Sequence, residues 1–252
     1  MSAEKSTPRD DVFFVGYLGA PKQVVLFALA AGASLLGAAA ALAFTLAWGT
    51  DPIEPRTFAP DTTLNGVVEL DPYPLLRMAP SEKNKLGHTV MLAGDGKEGA
   101  QGKTAAFAGK AVKIDGFKLS RGSIEMVIVG EVAAIEASEA GLPAEAANLG
   151  RWRLSGEICD GKCAAGAMNP GTGLAHKACA NLCVTGGLPP ILVTKEPVEG
   201  SSFFLLANTE GKSLAKDTWE HLVARPVTLA GDLERRGDVL VFKADLSSAA
   251  YP

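Results

Sequence analysis

The sequence predicts a mainly β protein: two small β barrels in tandem behind one N-terminal transmembrane helix. Three observations carry that prediction. An uncharged apolar run spans Val24 to Trp48. One β pattern occurs twice in the rest of the chain. Turn formers are abundant and aromatics few, with 28 Gly and 15 Pro in 252 residues.

The run VVLFALAAGASLLGAAAALAFTLAW fits a membrane span. At about 1.5 Å rise per residue it crosses a hydrocarbon core of roughly 30 Å. A helix also satisfies its backbone groups internally, as lipid demands. A cleaved signal peptide would carry a shorter apolar region, about 7–15 residues, ending at a small-residue site. This run is longer and closes on Phe44 and Trp48. Lys5, Arg9 and Lys22 precede it, whereas Asp51 and Glu54 follow it with Arg56 the one nearby cation. Positive flanks stay inside, so residues 1–23 read as a cytoplasmic tail and the chain after Gly49 as extracytoplasmic. In a bacterial cell that places the C-terminal part in the periplasm, on a single-pass inner-membrane anchor at residues 24–48.

Beyond a linker at 49–62, two segments share one pattern. Leu64-Asn-Gly-Val-Val-Glu-Leu70 opens the first copy and Leu154-Ser-Gly-Glu-Ile-Cys-Asp160 the second. An apolar strand with polar turn residues follows in each, at His88–Gly96 and Ser202–Gly211. Each copy closes on a hairpin-like pair, Ala111–Gly116 with Ser120–Val127, and Pro226–Gly231 with Arg235–Phe242; an Arg-Gly turn recurs in both. Val112-Lys-Ile-Asp alternates apolar and polar residues, as a half-buried strand does. Short strands repeated with turn signals fit small closed barrels. The copies therefore read as two OB-like barrels related by internal duplication, at 63–134 and 151–245. Residues 135–150 are the linker between them and 246–252 a tail. One irregular sandwich with chance similarity is the competing reading.

Net charge is −4, with acids and bases mixed along the chain and no basic patch or aromatic-rich basic segment. That excludes nucleic acid as the expected partner. The Gly-rich stretches at 94–99 and 166–173 lack the strand-to-helix context of a phosphate loop. There is neither a G-x-S-x-G elbow nor an H-E-x-x-H helix, so no catalytic residue is assigned. His88 and His221 read as surface or packing residues.

All four cysteines fall in the second copy, in a stretch (159–190) without a counterpart in the first. Ala175 to Val184 reads as a short helix, stopped by Gly186-Gly187 and Pro189-Pro190. On it, His176, Cys179 and Cys183 fall at i, i+3 and i+7, one imidazole and two thiols on one face. Cys163 comes from the end of the preceding strand across a Gly/Pro-rich turn. Together they form a Cys₃His set suited to tetrahedral zinc. Thiolates equally accept copper or an iron–sulfur unit. Cys159 either replaces Cys163 or stays outside the set. Two structural disulfides are the alternative, since four cysteines outside the cytoplasm pair evenly. Redox-active thiols are a third, although neither spacing is C-x-x-C. Asp160 and Glu157 are candidates for orienting His176, or are simply charges at a strand end.

The run Asp160…Cys163…His176-Lys-Ala-Cys179-Ala-Asn-Leu-Cys183…Gly187-Leu-Pro189, with an apolar strand and an OB-like hairpin behind it, resembles a group of poorly characterised bacterial exported proteins. Their shared pattern is an Asp and a Cys, then His-x-x-Cys-Ala-x-x-Cys, then Gly-x-Pro. The resemblance covers residues 151–245 and is concentrated in the Cys/His helix. It implies an exported OB-like domain with a metal or redox role and no established activity. Carried over residue by residue, it favours Cys163, His176, Cys179 and Cys183; Cys159 is outside the pattern.

The expected function is a membrane-anchored, metal-binding accessory or structural subunit of a respiratory or redox membrane complex. A disulfide-stabilised interaction protein and a metal or haem chaperone are the alternatives.

Overall fold

The computed structural model describes residues 20–49, 54–141, 143–215 and 219–251. The chain divides into two compact units, 1–52 and 53–252. In the first, helix α1 (Lys22–Gly49) is built almost wholly from Ala, Leu, Gly and Phe. Its 27 residues from Lys22 to Trp48 span about 40 Å at the helical rise. Leu26, Phe27, Leu36, Phe44 and Trp48 all stand exposed around it. A helix apolar on every side has no water-facing side, and this one is long and apolar enough to cross a bilayer. The cations Lys5 and Arg9 and the acid Asp51 lie outside the described residues.

The second unit is mainly β. Strands β1 (Arg56–Glu69), β2 (Leu75–Met78), β3 (His88–Ala93), β4 (Ala111–Arg121) and β5 (Ile124–Ala134) close into a barrel in the ring order 1-2-3-5-4. Short helix α2 (Gln101–Thr104) lies between β3 and β4, and α3 (Ala137–Ala140) follows β5. Strands β6 (Ala147–Asp160), β7 (Pro190–Val198), β8 (Ser201–Ala207), β9 (Pro226–Arg236) and β10 (Val239–Ala250) close a second barrel. Its ring order, 6-7-8-10-9, repeats that of the first. Helix α4 (Lys177–Thr185) lies between β6 and β7. The β3–β5 and β8–β10 pairs are parallel and the other ladders antiparallel.

The recurring Leu-x-Gly has a physical cause. A Cβ on Gly66 would collide with the Arg77 carbonyl, and one on Gly156 with the Val193 carbonyl. At both positions the neighbouring strand's backbone comes too close for a side chain, which only glycine permits.

The barrels do not stand apart as beads on a linker. Val68, Leu76, Leu92 and Val127 fill the first barrel, and Ile158, Leu192, Phe204 and Phe242 the second. A third core lies between them, where Leu75, Met91 and Met126 meet Leu188, Ile191 and Val241. Neighbouring residues on one strand, such as Leu75 and Leu76, or Ile191 and Leu192, thus point into different cores. Each fully buried side chain of this size contributes roughly 1.5–3 kcal/mol. Strand boundaries also reach further than the sequence predicts. β1 begins inside the expected linker at Arg56, β6 inside the other at Ala147, and β10 runs through the expected tail to Ala250.

The turns of β4–β5 and β9–β10 add a reciprocal clasp. Gly122 and Gly237 adopt positive φ of 53° and 64°, which a tight turn demands and Gly tolerates. The arginine before each is buried and reaches into the opposite barrel. Arg121 donates to the carbonyls of Met168 at 2.9 Å and Pro170 at 2.7 Å. Arg236 donates to the Asp71 carbonyl at 2.6 Å and pairs with Glu69.

Candidate metal centre

β6 ends at Asp160, whose side chain is wholly buried. A carboxylate there needs donors, and it has two. Oδ1 accepts the Cys163 backbone N–H at 2.9 Å, and Oδ2 bonds His176 Nε2 at 3.1 Å. The first contact caps the helical turn Cys163–Ala167, much as Asp caps a helix start. The second orients the imidazole. A carboxylate can only accept, so Nε2 is the donor in this bond. That is the carboxylate–histidine arrangement found behind metal-ligating histidines. Of the two acids considered from sequence, Asp160 therefore holds His176. Glu157 instead accepts the Gly173 N–H at 2.5 Å.

The chain returns through Gly171 and Gly173, both at positive φ, into a tight turn at Leu174–His176 and then α4. His176 is the residue before α4 rather than within it, and Cys179 and Cys183 follow one turn apart on the helix. Gly187, at φ 94°, ends the segment before β7.

This folding brings Cys163, His176 and Cys179 together. One ligand atom from each lies within 4.8 Å of the others. Cys183 is not in that group; its thiol neighbours that of Cys163. The neighbouring sulfur, more than burial, drives the Cys163 thiol up, and Cys163 in turn draws the Cys183 thiol down. All four cysteines are unpaired thiols. A buried sulfur, a half-buried one and an oriented imidazole form a soft, nitrogen-containing donor set that can hold a metal ion.

Cys159 is outside the group. It faces the core shared by the two barrels, and burial pushes its thiol well above the ordinary range. Neither Cys159 nor Cys183, which also packs in the shared core, belongs to the Cys163–His176–Cys179 group.

The surroundings contain residues that the sequence reading does not single out. Lys97, on the Gly94–Gly99 loop of the first barrel, brings its Nζ to 2.8 Å from Cys179 Sγ and 3.6 Å from Cys183 Sγ. Buried Lys162 bridges the carbonyls of Gly94 and Gly96 on the same loop, at 2.8 and 2.7 Å. Arg56 donates to Gly166 at 3.0 Å, so it and Arg121 hold the 163–170 turn from the first barrel. Lys162, lying between Asp160 and Cys163, is the one member of this group that its position in the chain advertises.

No family model matches the chain, and no curated protein or solved structure does either.

Proposed function

We propose that this chain is a membrane-anchored metal-binding protein whose Cys163, His176, Cys179 and Cys183 hold one ion, zinc foremost. The two barrels are then OB-like copies of a duplicated unit, carried in the periplasm by α1. Its role is that of an accessory subunit of a respiratory or redox membrane complex. The observation that carries the reading is the convergence of Cys163, His176 and Cys179, with Asp160 behind the imidazole. Three thiols and one imidazole favour a tetrahedral dication over the oxygen-rich sites of magnesium or calcium. The accessory role is supported by a single anchor, rigid barrels and a thiol cluster with no general base assigned to it.

Elemental analysis of the full chain, purified in mild detergent without added chelator, tests the metal. One equivalent in the native protein, lost in Cys163→Ser and His176→Ala, is expected. Native protein that contains no metal and takes none up overturns the reading. Proteins that copurify under the same conditions test the subunit role.

The nearness of the Cys163 and Cys183 thiols supports one second reading, a disulfide-stabilised interaction protein without metal. Thiol titration under denaturing conditions separates the two, since locked disulfides leave no free sulfur to titrate.

A further inference from the structure

We propose that Lys97 is a working part of the metal site, supplied by the other barrel as its charge-balancing and positioning residue. This rests on the metal-binding reading. Three thiolates and a neutral imidazole around a dication leave one net negative charge, and the buried Asp160 beside them adds a second. Around the buried Cys163 and Asp160 such charge is costly unless compensated; Cys179 is half-buried and Lys97 exposed, at the rim of the site. Two cations lie at hand. Lys162 is buried, and its charge acts on Cys163, Cys183 and Asp160. Lys97 meets the sulfurs of Cys179 and Cys183 from the remaining side.

Its placement is built rather than incidental. Gly94 N–H donates to the Glu98 carbonyl at 2.9 Å, closing the loop on itself. Gly99 N–H donates to the carbonyl of Gly186, just past the end of α4, also at 2.9 Å. Lys162 holds the loop between these points, at Gly94 and Gly96. A Cβ on Gly186 would strike the Lys97 carbonyl, so the loop lies directly against the helix end. The residues that seat the loop thus come from the Cys/His segment itself. An ammonium donating to two sulfurs fixes their direction and sets a positive charge beside them. Partners of this kind behind metal ligands typically contribute ten- to a hundred-fold in affinity.

The test compares wild type, K97M and K97R as full chains in detergent. Zinc affinity is measured by competition with a chromophoric chelator, and the sulfur-to-metal absorption band is recorded with Co²⁺ in place of zinc. K97M should bind zinc about ten- to a hundred-fold more weakly and shift the band, while K97R restores both. The unfolding midpoint of the metal-free proteins should be the same in all three, which a merely structural lysine would not give. Equal or tighter zinc binding by K97M overturns the proposal, the tighter result marking Lys97 as a competitor of the ion. If wild type binds zinc and K97M matches it, only this inference falls. If wild type binds none, the metal reading falls with it.

Discussion

The two barrels share a ring order, a crowded glycine in the first strand and an arginine-bearing turn in the last hairpin, yet among the described residues only the second carries a group that could hold a metal ion. The difference is concentrated in a single connection. In the first barrel residues 70–74 join the opening pair of strands; in the second, residues 161–189 join the equivalent pair. Arg236 of the second barrel clasps the short connection of the first, and Arg121 of the first clasps the long connection of the second. The clasping is therefore reciprocal, and the difference is an elongation at one of two equivalent places. The first barrel, without ligands of its own, becomes the wall against which that elongation folds.

Removing the metal gives the largest expected contrast. With free ion at a thousand times its Kd, binding stabilises the folded chain by about 4 kcal/mol. Chelation should withdraw that amount, and amide exchange should quicken in 161–189 while β1–β5 stay protected. Uniform quickening in both barrels would break the asymmetry.

Next come the cores. Leu75→Ala opens the shared core and Leu76→Ala that of the first barrel, each at about 3 kcal/mol for a fully buried leucine. Because the shared core ties the barrels, both variants should unfold in one transition by calorimetry. Two resolved transitions in either would show that the barrels are separable.

The reciprocal arginines sharpen the comparison. Arg121→Met and Arg236→Met should each cost about 2 kcal/mol through lost buried hydrogen bonds. Only Arg121→Met should also weaken zinc binding, since it alone frees the 168–170 turn. Equal effects on zinc would mean that the clasps are not specialised.

A smaller effect is pH-dependent. His88 of the first barrel bonds Asp238 of the second and, at 3.0 Å, Glu125, which also pairs with Lys118. The two carboxylates, Asp238 foremost, raise its imidazole to about 9. The folded state thus holds a proton that the unfolded chain releases near 6.5. The clamp stabilises fully below that value and is lost as pH rises towards about 9. For a group exposed at one edge this is on the order of 1–2 kcal/mol. His88→Gln should flatten chemical-denaturation stability across that window; an unchanged slope would remove the clamp.

Much of this was legible in the sequence, for physical reasons that also mark where legibility ends. The span, the strands with one polar face and the His176–Cys179 spacing follow from residue periods. β2 escapes because Leu75-Leu-Arg-Met is buried on both sides, and a strand between two cores does not alternate. The early parts of β1 and β6 escape for the opposite reason: they project, mostly exposed, and pair only along one edge. Lys97 lies 82 residues from Cys179, and no local pattern encodes a contact made across two barrels. The Arg-Gly repeat was visible as similarity, but its exchange between barrels needed the assembled cores.

Cys159 provides the smallest expected effect and the sharpest control. From the sequence Cys163 is the expected ligand, with Cys159 either replacing it or staying outside the set. The strand end separates them: Cys159 is still on β6 and faces the shared core, whereas Cys163 is past Asp160, on the turn that Asp160 caps. Cys159→Ala should therefore cost about 1 kcal/mol, the loss of one small buried group, and leave the zinc stoichiometry and the Co²⁺ spectrum unchanged. Cys163→Ala should show the reverse pattern, with the metal lost. Loss of metal from Cys159→Ala would put the ligand set one strand residue away from where Asp160 holds it.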